Sequence, residues 1–153
     1  MMYRQTVEQY LHEHIPLSKA MAVSVREASA ERVVLYAPLA PNINHRDTVF
    51  GGSASTLATL AAWSLLFVRL SDAALDGRIV IHANQMRYDR PMAGGFSAVS
   101  VAPDAADWAR LVKLLSRNRM ARIAIQATLE CDGEQGGAFD GEFVILPPAP
   151  NPS

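Results

Sequence analysis

TVFGGSASTLATLAAWSLLFV, residues 48–68, carries no charged side chain from end to end, with Asp47 before it and Arg69 after it. Twenty-one uncharged positions raise the question of a membrane span. The first half of the stretch holds Gly51, Gly52, Ser53, Ser55, Thr56 and Thr59. A helix over residues 53–68 would be about 24 Å long at 1.5 Å per residue, short of a hydrocarbon core about 30 Å thick. A helix that is apolar nearly all round and too short for a bilayer is expected to be buried on most sides within a protein. The remainder of the chain must then wrap it.

The flanking segments have the patterns for that role. Tyr3, Val7, Tyr10, Leu11 and His14 form the stripe of a short amphipathic helix, closed by Pro16 and suited to docking on a sheet edge. Met21, Val23 and Val25 alternate with small or polar residues, and residues 33–37 form a second β-rich run beyond a turn at 28–31, which together read as a hairpin. Residues 78–90 predict a longer strand ended by Pro91, and residues 96–101 another after Gly94-Gly95. Trp108, Leu111, Val112 and Leu115 give a helical face with Asp104 as N-cap. From Ala121 to Cys131 apolar and mostly polar residues alternate, the mark of a half-buried antiparallel strand. Asp132-Gly133 then turns the chain into a last strand over 138–146.

The chain has 153 residues, half of them hydrophobic and 19% charged, with 14 Lys and Arg against 15 Asp and Glu for a net charge of −1. A domain of this size buries roughly 68–70% of its unfolded surface, so it needs no metal or disulfide, and the single Cys131 excludes cystine and zinc scaffolds. The near-zero net charge offers nucleic acid no counterion-releasing surface. No leader peptide is readable at the N-terminus, and the expectation is a cytoplasmic protein with no membrane partner. The patterns predict one α+β domain over residues 1–146: an N-terminal helix over 3–14, a central helix over 53–70, and a curved antiparallel sheet around it. Four prolines in residues 147–153 predict a disordered tail.

The run APLAPNINHRDTVFGGSASTLATLAAW (37–63) resembles the loop and helix of hotdog-fold thioesterases. With IPLSKAM (15–21) before it and RIVIHANQMRYDRP (78–91) after it, the chain is similar to the thioesterase-like domain at the C-terminus of YiiD-type proteins. The resemblance covers residues 15–146. It implies a hotdog fold, a homodimer or dimer of dimers with its site between subunits, and hydrolysis of acyl thioesters of coenzyme A or acyl carrier protein, as in fatty acid metabolism. No cofactor is implied beyond the coenzyme A or phosphopantetheine of the substrate, and no metal. In YiiD-type proteins an acetyltransferase domain precedes this one; here the domain is expected to act alone or with a separate partner.

The chemistry of the Gly51-Gly52 element can be stated without the family. Two glycines allow a close backbone approach, and the first N–H groups of the following helix lack intrahelical acceptors. Aimed at a thioester carbonyl, those donors and the helix dipole would stabilise a developing oxyanion or enolate. The competing reading is that Gly-Gly only lets the helix pack tightly. Related phenylacetate-type thioesterases place an Asn six positions before a His-Gly-Gly and a carboxylate nine positions after that His. Alignment puts these at Asn44, Phe50 and Thr59, so only the Asn is kept. The resemblance therefore implies Asn44 orienting water or carbonyl, Asp47 or His45 as general base, and Gly51 and Gly52 as oxyanion donors.

Each of these positions has a structural alternative. Asn42 and Asn44 can bond their own loop backbone, and His45, Arg46 and Asp47 can form a surface triplet. Ser53, Ser55 and Thr56 suit an N-cap and helix-side hydroxyls, and Cys131 a small buried hydrophobe. Phe50, Ser53 and Thr59 are candidate substrate contacts. Two basic clusters could receive phosphate or an acidic carrier helix: Arg87 and Arg90 around Tyr88, and Arg110, Lys113, Arg117, Arg119 and Arg122. The second also reads as a solvated face. Because a strong base is missing from its usual place, decarboxylation of a malonyl-type thioester and silent acyl-thioester binding stand beside hydrolysis as alternatives.

Overall fold

The buried and exposed residues of Ala121–Cys131 alternate along its length, with Ala121, Ile123, Ile125, Ala127, Leu129 and Cys131 inside. That face packs on the central helix, and the same relation repeats on neighbouring strands. The computed structural model describes residues 2–149. Helices α1 (Met2–His14) and α2 (Pro16–Ala20) lead into strands β1 (Ser24–Ala28) and β2 (Arg32–Ala37). A 3-10 turn at Ala40–Asn42 and a loop precede α3 (Gly51–Asp72). Then come β3 (Arg78–Tyr88), β4 (Phe96–Val101), α4 (Ala105–Ser116), β5 (Ala121–Cys131) and β6 (Glu134–Leu146). The six strands form one antiparallel sheet in the order β1-β2-β4-β5-β6-β3. This is the hotdog architecture, α3 lying in the curve of the sheet against β2, β4 and β5.

Several boundaries differ from the sequence reading, each for a local reason. Helix α3 begins at Gly51 and has 22 residues, about 33 Å at 1.5 Å per residue. Its length would therefore span a bilayer. It is burial that assigns it to the core: Leu57, Ala58, Ala61, Ala62, Leu65, Leu66 and Val68 are fully enclosed. Pro16 closes α1 but also opens α2, because its fixed φ and missing N–H suit the first helical position. Strand β3 stops at Tyr88, two residues short of Arg90. Strand β6 begins at Glu134, earlier than 138, directly after a two-residue turn with Asp132 at φ 52° and Gly133 at φ 76°. Gly137 admits that early pairing, since a Cβ there would lie 2.5 Å from the Arg87 carbonyl oxygen. Residues 147–149 have no helix or strand, and the expected disorder over 150–153 falls outside the described residues.

The two edges of the sheet are treated differently. Along β1, α1 supplies hydrogen bonds that a further strand would otherwise make: the Val25 N–H donates to Glu8 Oε1 at 2.9 Å, and His12 Nε2 donates to the Val23 carbonyl at 2.8 Å. Tyr10 of α1 also stacks on Trp63 of α3, with centroids 5.5 Å apart. The free side of β3 has no such cover within the described residues, and Val80 and Ile81 on it are 45% and 40% exposed.

The far end of α3 is closed by the chain itself. Arg69 lies over the Trp108 ring at 4.4 Å and donates to the Ala30 carbonyl, while Tyr3 bonds the Asp72 carboxylate. Because α3 is the packing centre, truncating Leu65, which is fully buried, is expected to cost about 2–5 kcal/mol. Urea unfolding of Leu65→Ala measures this, and a loss well under 1 kcal/mol would contradict the assignment of α3 as core.

Candidate active site

Phe50 ends the loop before α3 in an extended conformation (φ −60°, ψ 132°), and no side chain caps the helix. The first intrahelical bond runs from the Ala54 N–H to the Phe50 carbonyl at 3.0 Å. The N–H groups of Gly51, Gly52 and Ser53 are therefore left without helical acceptors, and the first turn has no acidic residue to offset the dipole. The loop holding this end is tied down on both sides. Phe50 N–H donates to the Asn42 carbonyl at 2.8 Å, and Val49 N–H to the Met92 carbonyl at 2.8 Å. An isolated bridge between Ile43 and Val49 closes the tight loop over residues 44–48.

Asn44 holds that loop. Its Oδ1 accepts from the Arg46 N–H (2.8 Å), the Thr48 N–H (3.2 Å) and the Thr48 hydroxyl (3.3 Å). Its Nδ2 donates to Thr48 Oγ1 (3.0 Å) and the Val49 carbonyl (3.3 Å). Both ends of the amide are occupied within the loop. His45 and Asp47 sit at the exposed tip, Asp47 at φ 61° in the left-handed region. Neither lines a cavity beside α3.

Two cavities flank the start of α3. One, of about 410 Å³, is lined by Asn44, Gly51, Tyr88, Asp89 and Arg90 among others. The second, of about 340 Å³, lies on the other side, against Phe50, Gly52, Ser53 and Thr56. A wider groove of about 510 Å³ runs elsewhere, past Arg110, Arg122 and Glu142, and includes none of the residues at the α3 start. The two glycines differ in role. A Cβ on Gly52 would fall 2.3 Å from a Phe50 ring carbon, whereas one on Gly51 would make ordinary contact with Tyr88 at 3.5 Å. The Tyr88 hydroxyl donates to the Gly51 carbonyl at 3.2 Å and links the end of β3 to the helix start.

Most hydroxyls of α3 are turned to its own backbone. Thr56 and Ser55 donate to the Gly52 carbonyl at 2.7 and 3.2 Å, and Thr59 to the Ser55 carbonyl at 2.8 Å. The Ser53 hydroxyl has no hydrogen-bond partner among the described residues, and Ser53 lines the second cavity. Arg87 and Arg90 are already paired: Arg87 with Asp89 at 2.6 Å, and Arg90 with Glu134. The bound Arg87 guanidinium holds the Asp89 carboxyl below the usual carboxylate range, against a smaller upward push from burial.

Asp89 is a cavity residue that the sequence reading passed over, although its neighbours Tyr88 and Arg90 were both singled out. Its place between them at a strand end was the available signal. The second basic cluster is not brought to this site. Helix α4 is stapled by Trp108 to Arg69, eighteen residues along α3 from Gly51, or about 27 Å away at 1.5 Å per residue. Arg110, Lys113, Arg117 and Arg119 are exposed there, and Arg122 lies 3.6 Å from Glu142. Cys131 is buried. Among the described residues no group of three or more His, Cys, Asp or Glu could hold a metal ion.

The asymmetry of the glycines is open to measurement. Gly51→Ala is expected to leave the melting temperature unchanged or slightly raised. Gly52→Ala should melt below Gly51→Ala, because the exposed Phe50 ring must swing aside to admit the methyl group, and equal effects at both positions would refute this packing.

Comparison with known proteins adds a family to this geometry. The family described as "Putative thioesterase (yiiD_Cterm)" matches residues 4–147. A solved structure of a "putative thioesterase" from Shewanella oneidensis is 30% identical and superposes with a TM-score of 0.88, over 95% of this chain and 99% of that one. A protein of unknown function from Chlorobaculum tepidum is 27% identical, with a TM-score of 0.90 over 95% and 94% of the two chains. A thioesterase from Haemophilus influenzae shares the fold at 11% identity, with a TM-score of 0.74 over 94% and 90%.

Proposed function

The chain belongs to the YiiD C-terminal thioesterase family, and from that premise we propose that it hydrolyses acyl thioesters at the start of α3. The observation that carries this reading is the set of unaccepted N–H groups at Gly51, Gly52 and Ser53 between two cavities. Donors fixed before the reaction stabilise charge as it forms on the carbonyl oxygen, with no reorganisation at that moment. Water adds to the carbonyl carbon, the tetrahedral oxyanion collapses, the carbon–sulfur bond breaks, and the thiolate takes up a proton. Gly51 and Gly52 act here as oxyanion donors, and Asn44 as a positioning residue that shapes the loop carrying Phe50.

Three side chains near the start of α3 could accept or direct the proton of the attacking water. Asp89 is the carboxylate that lines the cavity beside Gly51. Its lowered pKa keeps it ionised at neutral pH, which suits orienting a water better than taking its proton. Asp47 and His45 would need the tip of the loop to meet the site from another direction. A second copy supplies one. The uncovered β3 edge ends at Tyr88, the residue that contacts Gly51, so a copy added along that edge lies against the site. The proposal is therefore a homodimer with intersubunit sites, acting on acyl-CoA or acyl carrier protein in the cytoplasm. Arg87 and Arg90 would exchange Asp89 and Glu134 for phosphate oxygens.

Decarboxylation of a malonyl-type thioester is the second reading. It is favoured by one observation: Asp89 is already engaged by Arg87 and Gln135. Oxyanion donors without a strong base serve an enolate equally well.

Thiol release and product mass, followed together on acetyl, decanoyl, aromatic and malonyl thioesters, separate these readings. Thiol release is expected, with Asp89→Asn reducing it at least about tenfold and Asp47→Ala showing whether the loop tip takes part. No thiol from any substrate would sink the hydrolase reading, and acetyl product from the malonyl thioester would establish the decarboxylase. By light scattering a dimer is expected at micromolar concentration, shifted to monomer by Ile81→Asp. A wild-type monomer would remove the intersubunit site.

A further inference from the structure

We infer that the cavity between α2 and the first turn of α3 receives the acyl chain of the thioester, and that Leu17 and Met21 determine the chain length it accepts. This rests on the thioester reading above and adds which side of the reacting carbon lies where.

The polarity of α2 is inverted for a surface helix. Ser18 is fully buried, its hydroxyl donating to the Ile15 carbonyl at 2.7 Å, while Leu17 beside it is 54% exposed. Phe50, on the opposite rim of the same cavity, is 56% exposed. Two large apolar side chains are thus left uncovered around one hollow of about 340 Å³, whose walls also include Ala20, Met21 and Pro41. Ordinary surface helices place such residues inward.

The walls are also held in place. Asn42 is buried and ties two of them, Met21 and Phe50, to the loop: its Nδ2 donates to the Met21 carbonyl (3.0 Å) and to the Pro38 carbonyl (2.8 Å), and its backbone carbonyl accepts the Phe50 N–H (2.8 Å). The Ser18 carbonyl accepts the Val23 N–H at 3.0 Å, anchoring α2 to the chain entering β1. A hollow with a braced wall loses little entropy when filled.

Position relative to the donors assigns the occupant. A thioester carbon held at the N–H groups of residues 51–53 carries sulfur on one side and the acyl carbon on the other. The cavity beside Gly51 is the one with charged side chains on its wall, Asp89 and Arg90, and Arg90, held by the exposed Glu134, is the group that can turn to a phosphate of the thiol arm. The cavity beside Gly52 and Ser53 has no charged side chain. Its polar groups are Ser53 and Thr56, and Thr56 is already bonded to the Gly52 carbonyl at 2.7 Å. An alkyl chain there gains affinity of roughly fourfold per buried methylene, whereas a phosphate or amide would be left unpaired.

The test uses the whole chain and S-methyl and S-decyl thioethers of coenzyme A, which bind without reacting. Calorimetry on the wild type is expected to show the decyl thioether bound at least about tenfold more tightly than the methyl. Leu17→Trp, which fills the cavity from an exposed position, should remove that preference and leave methyl affinity unchanged. Leu17→Ser, which strips the rim, should weaken decyl binding alone, so that the result does not depend on one variant folding. Equal affinity for the two thioethers, no binding of either, or equal losses on both in the variants overturns the subsite. Thiol release from acetyl and decanoyl thioesters keeps the two claims apart. Length-dependent binding without thiol release leaves the subsite and removes the hydrolase, and thiol release indifferent to Leu17 does the reverse.

Discussion

Burying a 22-residue helix that is apolar on nearly every side is the constraint on which the rest of this structure depends. One flat sheet covers a single stripe of a helix, and a stripe is too little here, since Leu57, Ala62, Leu66, Leu70 and Leu60, which point in directions all the way round the helix, are buried alike. The sheet therefore curves, and the inward faces of β2, β4 and β5 supply Leu35, Phe96, Ala98, Ile125 and Leu129 to meet it. Each large side chain so buried contributes about 1.5–3 kcal/mol. Small residues on α3, among them Ala54, Ala58, Ala61 and Ala62, let the strands approach closely.

The two ends of that helix are finished in opposite ways. At the C-terminus Arg69 places a positive charge against the negative end of the dipole and is stacked on Trp108, with Tyr3 bonded to Asp72 nearby. At the N-terminus there is no capping side chain and no acidic residue, and the hydroxyls at Ser55 and Thr56 return to the backbone. The chain thus satisfies one pole and leaves the other to whatever occupies the flanking cavities. The surrounding loop keeps that pole open, because the amide nitrogens of Asn42 and Asn44 donate within the chain itself.

The sheet edges show a similar contrast. Glu8 and His12 of α1 bond the backbone of β1, so that edge cannot template another strand. On β3 the backbone and the apolar Val80 and Ile81 stand uncovered, and its last residue reaches Gly51. The stable edge and the open edge lie at opposite sides of one sheet, and the site sits beside the open one.

Local pattern in the sequence determined much of this. The eleven-residue alternation of β5, the Asp132-Gly133 turn, the Asp104 cap and the charge-free run over 48–68 report their environments directly, because periodicity of two or 3.6 records which face is buried. The family resemblance and the Gly-Gly element located the helix start. What tertiary structure alone decided are the facts that depend on partners distant in sequence. The helix length could not separate membrane from core, since both demand apolar residues; enclosure by β2, β4 and β5 did. Asn44 could be catalytic or structural by type, and only the fold shows the five bonds its amide makes within the loop. Asp89 lines the cavity beside Gly51, and helix α4 packs through Trp108 at the opposite end of α3, because a fold places residues by packing, and no spacing along the chain encodes which end of α3 a later segment meets.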